Sequence, residues 1–226
     1  MNQQAAHAAA TAAARLAEDG MVLGLGTGRT MRLVLEALGT RMRDEGLRLT
    51  GVPTSQATAA HARTLGIPLA EPDAPADLAL DGADQVERTT LRLLKGGGGA
   101  LLREKIIAES ARRFVVVADA SKLVDRLGAG FALPVEVAPF GHAATARRIA
   151  ALGGAPVLRL RDGKPAASDG GNLLYDCPGF GPIRDPFTLE RRLRAIAGVL
   201  GTGLFLLPVE RALIGQPDGT VAEIMP

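Results

Sequence analysis

Tryptophan is missing from this 226-residue chain, tyrosine occurs once and phenylalanine six times, so aromatics make up only 3% of it. Single-stranded nucleic acid is held largely by stacking bases on aromatic rings, and that class of function starts without its platform. An excess of either charge is also missing. The 26 Lys and Arg stand against 24 Asp and Glu, a formal net charge of +2, dispersed with no basic arm or stripe. A nucleic-acid partner is therefore not expected. Cysteine is nearly absent: the lone Cys177 can form neither an internal disulfide nor a CxxC metal knuckle, which fits a reducing compartment and a small packed residue. Long apolar runs are lacking as well. The Ala-rich first twenty residues carry His7, Arg15, Glu18 and Asp19, so no signal peptide and no membrane-spanning helix is expected, and the cytoplasm is the expected location.

What is present is 47% apolar residues, enough for a substantial core built of Leu, Val, Ile and Ala. Residues 3–18 read as an Ala-rich helix. Next, "MVLGLG" is a short apolar run ending in glycines, and "TGRTMRLVLEALGTRM" repeats Met31, Leu35 and Leu38 at helical spacing. The rhythm returns in "LTGVPTS" with "QATAAHARTLG", in a short strand "IPLA", in "DLALDGAD" and in "RFVVVADAS". Strands without clear alternation, separated by helical segments, predict an α/β fold: an open, mostly parallel, Rossmann-like sheet with helices on both faces. From Gly128 the texture changes to a strand–helix–strand–strand–helix order, expected to form a smaller α+β lobe. The expected division is a main lobe of residues 1–129 and 204–226 and a small lobe of residues 130–203.

Ligands of open parallel sheets bind at the carboxyl ends of strands, so the residues just after each strand are the candidates. Four such places are unusual. In "GLGTGRT" the glycines at 24, 26 and 28 miss the dinucleotide spacing and no GKS or GKT ending makes a P-loop. Thr27, Gly28, Arg29 and Thr30 instead form a turn entering a helix, where free amides and the helix dipole favour phosphate; an ordinary tight turn is the alternative. In "DGAD", Asp81 and Asp84 frame Gly82 and Ala83, suited to polyol hydroxyls or, less readily, a cation; simple Asx-turn chemistry would also place them there. His7, His61 and His142 are too scattered to complete a metal site.

The third place is "LKGGGGALLREK". Four glycines are costly to order, and Gly96, Gly97 and Gly98 beside Lys95 suit an oxyanion held by backbone amides and a fixed charge. Glu104 lies just inside the following helix, either as a base facing that loop or as an acid favoured by the helix dipole. A base next to an oxyanion stabiliser is the pairing that proton removal beside a carbonyl requires. Fourth is "ADASK", where Lys122 can reach a phosphate or sugar oxygen or can be a surface lysine.

In this order and spacing "GLGTGRT", "DGAD", "KGGGGALLREK", "ADASK" and "LPVEV" resemble ribose-5-phosphate isomerase of the A type, over about residues 5–224. The resemblance implies interconversion of ribose 5-phosphate and ribulose 5-phosphate, in the non-oxidative pentose phosphate branch, with no metal and no cofactor. It makes Glu104 the base that moves a proton between C2 and C1, with Lys95 steadying the oxyanion. It gives Asp81 and Asp84 the sugar hydroxyls and ring opening, the segment Thr27–Thr30 the phosphate and Lys122 further contacts. It also implies a homodimer or homotetramer. The chain departs from the family where Arg29 replaces a serine, where Ala6 and His7 stand in a helix that often carries lysines, in "SDGGN" from Ser168, and at Gly201 and Thr202. Arg29 leaves an isomerase of another aldose phosphate as an alternative. A non-catalytic sugar-phosphate sensor would need the pocket but not the base, and acyl or CoA transfer would use Glu104 as a nucleophile.

Overall fold

The computed structural model describes residues 3–226. Its first half runs α1 (Gln3–Ala14), β1 (Val22–Leu25), α2 (Arg29–Glu45), β2 (Thr50–Pro53), α3 (Gln56–Thr64), β3 (Leu78–Asp81), β4 (Gln85–Glu87), β5 (Leu93–Leu94), α4 (Leu101–Ser110), β6 (Phe114–Asp119) and β7 (Leu123–Val124). The second half runs β8 (Leu133–Val137), α5 (His142–Ala151), β9 (Val157–Leu158), β10 (Leu160–Arg161), β11 (Lys164–Pro165), β12 (Leu173–Cys177), α6 (Pro186–Arg194), β13 (Val199–Thr202), β14 (Leu204–Phe205), β15 (Arg211–Gly215) and β16 (Val221–Ile224).

Six strands form the central sheet in the order β16-β15-β6-β3-β1-β2, parallel except for the edge strand β16. Alternation along β6 divides its side chains between two cores. Val115 and Val117, with Leu23, Leu25, Leu78 and Leu80, meet the alanines of α1 and Met31, Val34, Leu35 and Leu38 of α2. Phe114, Val116 and Ala118, with Ala79, turn to the opposite face and meet Leu101, Ile107 and Ala108 of α4. Burial on both faces explains why these strands read as continuous apolar runs. The alanine face of α1 permits close approach: a Cβ added at Gly215 in β15 would lie 1.9 Å from the Ala5 carbonyl oxygen. On the other face, a Cβ at Gly24 would meet Ile107 of α4 at 2.5 Å.

The smaller α+β lobe is built on the antiparallel sheet β13-β8-β12-β9, with Ile149 of α5 and Leu193 of α6 packed into its apolar side. A further small sheet, β14-β5-β4-β7, links the two cores. Its β4–β5 hairpin pairs Gln85 with Leu94, so Asp84 and Lys95, each one residue beyond, end up side by side. The Asp84 N–H donates to the Leu94 carbonyl at 2.9 Å.

Two local expectations change. "IPLA" is not a strand but a single bridge, Leu69 to Gly51, because the chain leaves the sheet edge after one contact. Helix α1 stops at Ala14, where Arg41 Nη1 takes the carbonyls of Ala14 and Ala17 at 2.7 and 2.8 Å. The short strands β4, β5 and β7 carry too few residues for a period to be read. Among the described residues no helix is long and apolar enough to cross a membrane.

Candidate active site

The parallel strands β1, β3 and β6 all end at one edge, and a cleft of about 850 Å³ opens there. Thr27–Thr30, Gly82–Asp84, Lys95–Gly98, Glu104 and Lys122 line it, so four separate sequence motifs converge. Asp81 does not line the cleft; only 3% of it is exposed, and it lies beneath the floor.

The turn after β1 is shaped by its neighbours. A Cβ at Gly26 would sit 2.1 Å from Asp81 Oδ1, so only glycine lets that carboxylate occupy its place. Gly28, at φ 114, precedes α2, and no side chain caps the helix, which leaves its first-turn amides at the cleft. Thr27 does not add its hydroxyl to this group: Oγ1 is held by Thr54, Ser55 and Thr58 at 2.8, 2.8 and 3.2 Å. Thr58 in turn donates to the Gly26 carbonyl at 3.0 Å, fixing the turn. Arg29 is exposed and, like Lys122, has no hydrogen-bond or ion-pair partner among the described residues.

Lys95 and Glu104 form the floor, and with Asp81 beneath them they make a buried triad. Lys95 Nζ donates to the Gly82 carbonyl at 2.5 Å and lies 3.0 Å from Asp81 Oδ2 and 3.5 Å from Glu104 Oε2. The contact with Gly82 is a hydrogen bond, and those with the two carboxylates are ion pairs. Phe205 closes the other side, its ring centroid 5.4 Å from Nζ. Burial opposes the ammonium, but Asp81 and then Glu104 hold the Lys95 pKa above its ordinary value, so it stays charged. Burial raises Asp81, against the pull of Lys95. Burial first and the Asp81 charge second push Glu104 up to about 8, although Lys95 acts to lower it. Lys105 does not take part; it turns away to Glu190 at 3.0 Å.

The glycine run is less uniform than its sequence. The Gly97 N–H donates to Asp84 Oδ2 at 2.8 Å, and the Gly99 N–H closes a turn on the Gly96 carbonyl at 3.1 Å. Gly98 alone is open, its added Cβ meeting nothing nearer than Thr27 at 3.9 Å. A fixed ammonium, a buried carboxyl of raised pKa and a helix N-terminus around one cleft can remove a proton beside a carbonyl in an anionic substrate.

The profile of the family described as ribose 5-phosphate isomerase A (phosphoriboisomerase A) matches residues 50–219. The chain belongs to this family. Ribose-5-phosphate isomerase A of Thermomicrobium roseum is 52% identical over 220 residues, covering 96% of this chain and 92% of the relative. That of a Roseiflexus species is 54% identical over 217 residues, with 94% and 92% covered. Among solved structures, ribose 5-phosphate isomerase A of Methanocaldococcus jannaschii superposes with a TM-score of 0.95 at 41% identity, each chain covered completely. A D-ribose-5-phosphate isomerase in complex with phospho-erythronic acid superposes with a TM-score of 0.94 at 34% identity, again over all of both chains.

The family's departures now have surroundings. His7 lies in a groove between α1 and α2, away from the cleft. Ser168 and Asn172 of the "SDGGN" segment donate to Glu136 Oε1 at 2.7 and 2.8 Å. At Gly201 a Cβ would crowd Leu101 at 3.0 Å, and Thr202 donates to Glu190. Cys177 is buried and its thiol pushed up to about 12 by burial, which fits a packing role. Sequence reasoning missed five residues of the cleft wall: Gly130, Phe131, Ala132, Arg159 and Asp176. Arg159 sits in the alternating stretch "VLRLR", where a basic residue reads as an exposed strand position, so no local signal marks it.

Proposed function

We propose that this chain is an aldose–ketose isomerase that interconverts D-ribose 5-phosphate and D-ribulose 5-phosphate. The observation that carries the reading is the buried Lys95 ammonium set between Asp81 and Glu104 under a cleft whose rim is an uncapped helix N-terminus. The ionised Glu104 carboxylate takes the proton from C2 of the open-chain aldose, and the electron pair moves to O1, giving an enediolate. Lys95 stabilises that oxygen, and the protonated Glu104 returns its proton to C1 as the O2 proton transfers to O1, leaving the ketose. No electron acceptor is required. Asp84, at the cleft surface, holds sugar hydroxyls; Asp81 contributes from below by fixing Lys95 and assists ring opening. The amides of Gly28, Arg29 and Thr30, with the Arg29 and Lys122 side chains, take the phosphate.

The raised Glu104 supplies a base strong enough for a carbon acid, at the expense of the ionised fraction near neutral pH. Membership of the family and the geometry of the cleft support this assignment. We further assign residues 1–129 and 204–226 to the main lobe, residues 130–203 to the small one, the protein to the cytoplasm and its assembly to a homodimer or homotetramer. Purified protein assayed for ketose formation from ribose 5-phosphate in the presence of EDTA tests the reaction. Turnover by the wild type and its loss in Glu104→Gln supports both reaction and base; no wild-type turnover overturns the reading.

A further inference from the structure

One peptide unit of the cleft is gripped at both ends. The Gly96 carbonyl accepts from Arg159 Nη1 at 2.8 Å, and the N–H of that same peptide, on Gly97, donates to Asp84 Oδ2 at 2.8 Å. Arg159 Nη1 also reaches the Gly97 carbonyl at 3.2 Å. Behind it, Asp176 of β12 holds the guanidinium as a fork, Nε to Oδ2 at 2.9 Å and Nη2 to Oδ1 at 2.5 Å. Arg159 follows β9, so the grip comes from the antiparallel sheet while the peptide belongs to the loop between β5 and α4.

We infer that Arg159, aimed by Asp176, is a positioning residue that locks the Gly96–Gly97 peptide and through it fixes Asp84 and the open Gly98 amide for the reaction. The inference rests on the proposed isomerase reading for its kinetic part and on geometry alone for the clamp. Glycine at 96 takes φ 107, a left-handed conformation, and the unit has no side chains of its own to hold it. Two charged partners on opposite ends supply that restraint with charge-assisted bonds. A lysine cannot replace the arginine, because it has no planar fork with which to meet Asp176 and the carbonyls together.

Amide exchange and kinetics on Arg159→Ala, Arg159→Lys and Asp176→Asn test this together. Exchange in a peptide spanning residues 96–99 should quicken by roughly 10-fold or more in Arg159→Ala while β6 stays protected. With ribose 5-phosphate, kcat should fall by about 10- to 100-fold and KM should stay within about threefold, because a misplaced loop harms the transition state more than binding. Arg159→Lys should recover little, and Asp176→Asn should show the same pattern more weakly. Unchanged exchange in the 96–99 loop overturns the clamp whatever the kinetics. A rise in KM with unchanged kcat, or full recovery by lysine, overturns the positioning role in favour of a plain charge at the substrate. If the wild type does not turn over ribose 5-phosphate, the isomerase reading falls while the exchange result still decides the clamp.

Discussion

Replacing Glu104 by glutamine keeps the shape of the side chain and removes its charge, and the two consequences have opposite signs. Turnover should drop by roughly 100-fold or more, since the base is gone. Stability should rise. Below the ordinary Glu value of 4.5 the carboxyl is protonated in both folded and unfolded chains, and wild type and variant should be alike. Above it the unfolded chain releases the proton while the folded one, with Glu104 near 8, retains it, so the stabilising effect of the raised pKa is progressively lost as pH rises. At about 1.4 kcal/mol per unit, wild type should trail Glu104→Gln by roughly 3 kcal/mol at pH 7 and by no more than about 5 above pH 8. For a chain of this size roughly 2–4 °C accompanies each kcal/mol, so melting temperatures should be close near pH 4.5 and separate by about 10 °C at pH 8. Thermal unfolding of both proteins from pH 4.5 to 9, beside the ketose assay, reads this directly. A variant less stable than wild type throughout that range would mean that attraction to Lys95 outweighs burial, and that Glu104 is an ordinary carboxylate; the account of its basicity would then be wrong.

The same shift sets the pH profile of the wild type: kcat/KM should climb about tenfold per unit below pH 7 and level off above roughly 8, with the pair Glu104 and Asp81 titrating jointly. A flat profile between pH 6 and 9 would contradict it. Lys95→Ala leaves the buried Asp81 carboxylate without its cation, so it should cost about 3–5 kcal/mol in denaturant unfolding and lower kcat more than it raises KM. Arg29→Ser and Lys122→Ala remove unpartnered charges, one exposed and one half-buried, so they should raise KM several-fold at nearly unchanged stability; if KM for ribose 5-phosphate stays put in both, neither side chain serves the phosphate. Salt should likewise raise the wild-type KM and leave kcat nearly constant, because screening reaches exposed charges and hardly touches buried ones. A parallel fall in kcat would place screened groups in the chemical step.

The central sheet and its flanking helices could be read from the chain because β1, β3 and β6 are buried on both faces and so contain unbroken apolar runs that end in glycine or aspartate. The same logic fails for β4, β5 and β7, whose two or three residues leave no period to detect. Glu104 could be nominated from its place after the glycines, but the direction of its titration could not, because its burial, and after that the approach of Asp81, come only with the fold. Arg159 was invisible for a related reason. Its partners, Gly96, Gly97 and Asp176, lie 63, 62 and 17 positions away, and nothing in "VLRLR" records that the strand passes the glycine loop.

The four cations around the cleft fall into two kinds, and the division follows from what each must do. Lys95 and Arg159 are both held in place by acceptors, Lys95 by Gly82, Asp81 and Glu104, Arg159 by Asp176 and two carbonyls. Charges held so firmly cannot follow a ligand; they are useful where an oxyanion develops at one place, and their reorganisation has been completed during folding. Arg29 and Lys122 have no partner among the described residues and face the cleft. Long, unpaired side chains can meet a mobile phosphate dianion and adjust to it, but they contribute binding common to ground and transition states. A serine in place of Arg29 would keep the helix amides and lose only this adjustable charge. On the proposed reading the arginine would therefore change how tightly the phosphate is gathered, while the isomerisation itself would depend on groups the fold has already fixed.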